Sequence, residues 1–209
     1  GLLEYHSLIE NEELKLVEDE QFWNIFTIDN LVLFQSLNRI YSYDTQNQSI
    51  EIFAPEGNIT KAFQIDKSVY FQLEGQGLFQ LQEGKAVLIS EDSFLKNDVL
   101  VGFFKEEDQY VMIMARSGFF SLQNDEVNAL PIPQSIQDAV IYSCQRLRDG
   151  SLMVGTISSG LIHLDKSFNV EYVLNQQRGL GNNTILYIEE DRDANVWLGL
   201  DNGVSVINS

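Results

Sequence analysis

Glu189, Glu190, Asp191 and Asp193 crowd around Arg192 in one run of five charged residues. Carboxylates at that density could coordinate a cation or divide into the acid and base of a hydrolytic pair. Either chemistry needs side chains that converge, whereas successive residues of a strand point to opposite faces. The run also ends at a hairpin signal, so it reads better as a solvated turn in which Asp193 and Asn195 bond the local backbone. Asp201-Asn202-Gly203 reads the same way, because it lacks the spaced oxygens and terminal glutamate of a calcium loop. The histidines are His6 and His163. His163 lies in mid-strand with no acidic or histidine neighbour at ligand spacing, which suits a packed or surface role. Cys144 also falls in a strand, where a small buried hydrophobe is the default. No Gly-rich phosphate loop, nucleophile elbow or zinc signature occurs. The expectation is therefore no catalytic residue, no metal site and no cofactor.

Bulk composition narrows the partners. The 209 residues carry 31 acidic against 13 basic side chains, a net charge of -18 that repels phosphate backbones and anionic lipid. Nucleic acid is thus an unlikely partner, and the charge serves solubility. Apolar residues make up 44%, the share of an ordinary folded protein, and no apolar run approaches the ~20 residues that span a bilayer. The start, Gly1-Leu2-Leu3-Glu4-Tyr5-His6, lacks the features of a signal peptide, so any export signal or anchor is expected outside this sequence. A lone cysteine excludes an intrachain disulfide.

An internal repeat positions all of these residues. Short apolar strands following a turn begin at Leu31, Val69, Tyr110, Leu152 and Val196, spaced 38, 41, 42 and 44 residues apart. A second set begins at Ile40, Leu78, Phe119, Leu161 and Val204, offset by 9, 9, 9, 9 and 8 residues. In four of the five it follows a glycine: Gly77, Gly118, Gly160 and Gly203, with Arg39 the exception. In the second unit the strands read Thr60 to Ile65, Val69 to Leu73, Leu78 to Gln82 and Ala86 to Ile89, separated by polar turns that mark antiparallel hairpins. No long helical stripe with caps appears, so helix content is expected to be very low.

Four antiparallel strands in each repeat of this length make the blade of a β-propeller. The expected fold is therefore all-β, with whole blades at about 22–55, 58–90, 98–131 and 139–175. Partial blades are expected at 1–18 and 180–209, and 1–209 forms one propeller region. Gly1 to Tyr5 resembles a third strand and Glu13 to Val17 a fourth. Either the N-terminal strand completes the C-terminal blade and closes a five-bladed ring, or the chain is a piece of a larger propeller; starting in mid-blade favours the second. Trp197, Met153, Tyr70 and Val111 share the second position of strand two, which is expected to pack between blades.

The C-terminal unit resembles the two-component regulator propeller repeat. The residues that carry this are Gly179-Leu180-Gly181-Asn182-Asn183-Thr184-Ile185 and Glu190-Asp191-Arg192-Asp193-Ala194-Asn195-Val196-Trp197-Leu198-Gly199. Ala194 stands where glycine is usual and Leu200 where threonine is usual; Tyr70 and Val111 replace the expected tryptophan. The resemblance implies the extracytoplasmic, periplasmic sensor region of a bacterial hybrid two-component histidine kinase, many of which sense glycan breakdown products. This chain contains no kinase, receiver or DNA-binding segment.

Ligands of propellers usually sit where the loop joining strands two and three meets the loop leading into strand one. Here those loops carry Asn38, Gln76, Arg116, Ser117, Ser158, Ser159 and Asn202, with Asn58, Asn97, Gln134, Asn182 and Asn183. Loops are polar in any case. Their amides and hydroxyls nevertheless suit an oligosaccharide or another small polar ligand, and Arg116 an acidic sugar. Asn38, Gln76, Arg116, Ser158, Asn182 and Asn202 are the expected ligand-binding residues. The sequence thus reads as a non-catalytic sensor or ligand-binding module, partnered by other propeller or sensor domains of its own protein and by a second copy in a homodimer. The alternatives are a protein-interaction scaffold and a propeller hydrolase or lyase; against the enzyme, the starts of strand one carry mostly neutral residues.

Overall fold

Residues 20–208 are described by a computed structural model, in which the strands fall into five antiparallel sheets joined in simple sequence order. The first sheet is β1 (Phe22–Ile28), β2 (Leu31–Ser36), β3 (Ile40–Asp44) and β4 (Ile50–Phe53). The second is β5 (Ile59–Ile65), β6 (Ser68–Leu73), β7 (Gly77–Gln82) and β8 (Lys85–Ser90). The third is β9 (Leu100–Glu106), β10 (Gln109–Met114), β11 (Phe119–Gln123) and β12 (Glu126–Ala129). The fourth is β13 (Ile141–Arg146), β14 (Leu152–Thr156), β15 (Leu161–Leu164) and β16 (Val170–Leu174). The fifth has three described strands, β17 (Ile185–Glu190), β18 (Val196–Leu200) and β19 (Gly203–Ile207). These are the blades of a β-propeller, as the repeat implies. The strands expected at residues 1–5 and 13–17, the partial blade at 1–18, and His6 lie outside the described residues.

Two short helices, α1 (Ser93–Asn97) and α2 (Gln134–Gln137), and a 3-10 turn at Gln176–Arg178 occupy connections between sheets. Each is too short to show a helical apolar period, which is why the sequence pattern passes over them.

The turns explain the register. Glu83-Gly84 and Asn124-Asp125 are two-residue hairpin loops with both residues at positive φ, the geometry that matches strand twist. Asp29, Asp66 and Glu107 open equivalent turns between strands one and two, each with φ close to +50°. The pairing of strands one and two also slips by one residue at the same place in every sheet. It does so between Phe22 and Asn24, Ile59 and Lys61, Ile113 and Met114, Ile141 and Ser143, and Ile185 and Tyr187. Such a repeated bulge bends strand one where it meets the loops.

The bulge also sets the true alignment of the units, because Ser36, Leu73, Met114, Thr156 and Leu200 all pair just beyond it. Counting back four residues gives Val32, Val69, Tyr110, Leu152 and Val196. The first anchor is therefore Val32 and not Leu31. The loop between Gln35 and Ile40 is one residue shorter than that between Ile113 and Phe119, and the constant offset hid the difference.

The chain divides into two compact units, Gly1–Glu74 with Phe79–Val87, and Gly75–Leu78 with Leu88–Ser209. In the first unit, Leu33 and Ile40 of one sheet meet Ile59, Ala62, Val69, Phe71 and Leu73 of the next. In the second unit, Val111 and Phe119 pack with Leu152, Val154, Leu164 and Phe168, and Met153 and Leu161 pack with Ile185, Ile188, Val196 and Leu198. Each sheet is thus apolar on alternate residues of both faces, and burial of those faces at ~25 cal/mol per Å² is the main stabilising term.

Within the second unit the sheets approach so closely at Gly102 and Gly155 that neither position has room for a Cβ. A Cβ on Gly155 would stand 2.8 Å from Ile185 and 2.3 Å from the Ser143 hydroxyl. One on Gly102 would stand 2.1 Å from the Cys144 sulfur, so Cys144 packs against the core, though half-buried and not fully buried as expected. The backbone of Gly155 is ordinary for a strand, which makes the constraint purely steric. Replacing Gly155 by alanine is expected to destabilise the protein by ~1–3 kcal/mol, the usual effect of overpacking, measured by urea denaturation. A neutral effect would mean that the fourth and fifth sheets are not in register contact.

Candidate functional site

In the second unit, hydrogen bonds sew the loops between strands two and three to the loops leading into strand one. Ala115 N–H donates to the Val99 carbonyl and Ile141 N–H to that of Ala115. Ile157 N–H donates to Val140, Gly160 N–H to Asn183 and Asp201 N–H to Thr184. The Thr184 hydroxyl closes the series on the Ile157 carbonyl at 2.6 Å. The loops carrying Arg116, Ser158, Asn182 and Asn202 are in this way held along one edge of the unit's three sheets. In the first unit the corresponding loops are joined by Ile59 N–H to the Leu37 carbonyl and Glu74 N–H to that of Asn58. Asn38 lies beside the first of these bonds, while Gln76 belongs to the 75–78 segment.

The expected site residues divide by what their side chains already do. Asn38, Gln76, Arg116, Ser158 and Asn202 are exposed. Asn182 is half-buried and its carbonyl oxygen accepts the Thr184 N–H at 2.9 Å, so it builds the turn. Asn183 likewise accepts from Gln176 N–H, and the Asn58 amide donates to Glu74.

The organising group on this edge is one the sequence reading passed over, Asp98. One of its carboxylate oxygens accepts the N–H of Arg116 at 2.8 Å, the N–H of Ser117 at 2.7 Å and the Ser117 hydroxyl at 2.8 Å. Burial pushes its carboxyl up, but the Ser117 hydroxyl and the backbone donors outweigh burial and hold it below the usual carboxylate range. The loop is therefore braced by a fixed negative charge, with the Arg116 side chain carried outside it. Only its place just before strand one and eighteen residues ahead of an Arg-Ser-Gly turn hints at the role in sequence.

The acidic run around Arg192 is dispersed by the fold. Glu190 accepts the Arg148 N–H at 2.8 Å and pairs with the Arg148 guanidinium at 3.3 Å, tying the fourth sheet to the fifth. Glu189 accepts from the Tyr187 hydroxyl. Asp191, and not Asp193, turns the chain. One of its oxygens accepts the N–H groups of Asp193 and Asn195, and the other the Asn195 amide and, at 2.8 Å, the Trp197 indole N–H. Asp191 stands first in the turn, so its side chain can reach back over the residues that follow. The Trp197 and Asn195 donors hold its carboxyl at about 2.

Trp197 also departs from expectation, since it is 45% exposed while Leu33, Tyr70, Val111 and Met153 at the same position are buried. Tyr187, Val204 and Val206 lie beside it on the same face and are exposed too. Among the described residues no sheet of the second unit covers that face, so the indole is left to cap Asp191.

His163 has company that its sequence neighbours do not reveal. Its Nε2 lies 2.8 Å from the Ser151 hydroxyl, and its Nδ1 lies 2.8 Å from Glu171 without the alignment of a hydrogen bond. Glu171 comes from β16 and Ser151 from the turn before β14, both brought in by strand pairing. Nucleophile, base and orienting acid have this order, but the Ser151 hydroxyl is also bonded to Asp149 at 2.7 Å. Ser151 is 5% and His163 9% exposed. The group is a closed tie between strands. Among the described residues, no three His, Cys, Asp or Glu side chains are placed to hold a metal ion.

No protein-family model matches the chain, and no curated protein matches it. Solved structures do. The extracellular domain of a protein described as a hybrid two-component system, BT4673 from B. thetaiotaomicron, aligns with 96% of this chain at 20% identity and a TM-score of 0.71. That of BT3049 from the same organism aligns with 94% at 15% identity and a TM-score of 0.56. Virginiamycin B lyase from Staphylococcus aureus aligns with 88% at 12% identity and a TM-score of 0.62. The chain spans 28% and 34% of the first two and 68% of the lyase. At these identities the likeness is one of fold.

The Trp197–Asp191 bond is open to test. A carboxyl held low in the folded state adds stability that is present above about pH 4 and lost as the pH falls toward 2. Trp197→Phe is expected to move the Asp191 titration, followed by carboxyl NMR, up toward the ordinary range. It should also shrink the stability difference between neutral and acidic solution. An unmoved titration would remove the indole as the cause.

Proposed function

We propose that this chain is a non-catalytic sensor propeller segment from the extracytoplasmic, periplasmic part of a bacterial two-component signalling protein. Its ligand is an oligosaccharide or another small polar molecule held by the exposed loop residues Asn38, Gln76, Arg116, Ser158 and Asn202. The observation that carries this reading is the alignment of 96% of the chain with the BT4673 extracellular domain. The wording of the C-terminal repeat, which resembles the two-component regulator propeller family, points the same way. Binding would favour one of two arrangements of blades or protomers and so pass a signal to a downstream domain. Other propeller or sensor domains of the same protein, and a second copy in a homodimer, are the partners this implies.

The lyase neighbour keeps the enzyme alternative in view, but the dispersal of the acidic run and the closed Ser151–His163 tie speak against it. A protein-interaction scaffold is favoured by one observation, the exposed apolar face of Tyr187, Trp197, Val204 and Val206.

Thermal unfolding with a panel of neutral and acidic glycan fragments separates the readings. A true ligand at a hundred times its Kd is expected to raise Tm by roughly 5–10 °C. Arg116→Ala should abolish the response to acidic fragments first. Silence across the whole panel would set the sugar-sensing role aside.

A further inference from the structure

The first unit contains a cleft of about 710 Å³ between its two sheets, lined by Ile28, Leu31, Leu33, Phe53, Val69 and Leu81 on its apolar side. That volume is in the range of small-molecule sites. Its polar side is Ser42, Asp44, Ser49, Glu51, Lys67 and Glu83. The two sides are ordered by the pleat of the sheet. Leu33, Ser42 and Glu51 stand directly opposite one another on β2, β3 and β4, and Leu31 stands opposite Asp44. The wall therefore grades from apolar on the second strand to acidic on the outer one. The facing wall repeats the gradient, with Val69 and Leu81 inside and Glu83 at the turn.

Polar residues recur at the position of Ser42, with Ser121 opposite Val111 and His163 opposite Met153, but those two are buried whereas Ser42 is half-buried. In the fourth sheet the turn corresponding to Glu83-Gly84 runs from Asp165 to Asn169, and its Phe168 is buried in the core against Phe119, ring centres 5.5 Å apart. The two-residue turn Glu83-Gly84 carries no such plug. Charge on the rim is also one-sided. The Lys67 ammonium is held between both Asp29 oxygens at 2.8 and 2.9 Å, which cancels it. Asp44 is fixed in place by the N–H groups of Gln46 and Asn47. Glu51 and Glu83 are exposed at the mouth.

We propose that this cleft binds an organic cation with an apolar body, the body lying on Leu31, Leu33, Phe53, Val69 and Leu81 and the cationic head between Glu51 and Glu83. An apolar floor alone would accept any hydrophobic molecule; the carboxylates select the charge. The net charge of -18 adds long-range attraction for such a ligand.

The probe is 3-phenylpropylamine, titrated calorimetrically into the 209-residue chain, with 3-phenylpropan-1-ol and 3-phenylpropanoate as neutral and anionic counterparts. The amine is expected to bind about tenfold or more tightly than the alcohol, the carboxylate not to bind, and added salt to weaken the amine. Glu51→Gln and Glu83→Gln, both surface changes that leave the core intact, should each reduce amine affinity several-fold. Ser42→Phe, checked for folding by circular dichroism, should block both the amine and the alcohol by filling the cleft. Equal binding of amine and alcohol, full amine affinity in both glutamine variants, or no amine binding at millimolar concentration would each overturn the proposal.

Discussion

A sheet that is apolar on both faces cannot remain exposed to water, and the rest of this chain is arranged around that constraint. Alternate residues of β14 show it directly: Leu152 and Val154 belong to the core shared with the third sheet, Met153 to the core shared with the fifth. Stacking is the solution, and it dictates small residues where strands approach most closely. Gly102 and Gly155 are there because Cys144 and Ile185 occupy the space a Cβ would need. The exposed face around Trp197 is the same constraint seen from the other side, an apolar surface still lacking its neighbour among the described residues.

Polar groups then fix what apolar stacking leaves loose. Hydrophobic contact is not directional, so sliding of one sheet over another must be prevented by geometry. Arg148 on Glu190, Arg146 on Glu106 and the Ser143 hydroxyl on the Ile185 carbonyl do this across the sheets of the second unit. Lys67 on Asp29 and the Gln64 amide on the Thr27 carbonyl do it in the first. The loops bearing Arg116, Ser158 and Asn202 are carried on this frame, which holds the backbone while leaving their side chains in water.

Much of the architecture was legible before the structure. Turn residues and alternating apolar runs placed the strands of the second sheet within a residue of their observed ends, since a two-residue turn such as Glu83-Gly84 has a local signature. The repeated bulge had none. It depends on how strand one bends toward its neighbours, and without it the spacing points to Leu31, whereas Val32 is the equivalent position. Among candidate site residues, exposure followed from loop position, yet the diversion of Asn182 into its own turn did not. Asp98 has no local signature because its partners are eighteen and nineteen residues away. Ser151, His163 and Glu171 are brought together only by the pairing of β14, β15 and β16.

The sequence by itself determined the period, the all-β class and the division into blades, because these rest on residue-by-residue alternation and on turns closed by neighbours in the chain. It also determined that Asp191 and Asp193 belong to a turn, although the residue closing it is Asp191 and not Asp193, and Glu189 and Glu190 stay in β17. Only the tertiary structure decided which face of each sheet is covered, which charged groups are consumed in ties, and where a gap remains. Those outcomes depend on side chains from separate strands and sheets meeting in space. Trp197 makes the difference plain: its type and position match buried equivalents, yet it is half exposed and its indole N–H is bonded to Asp191.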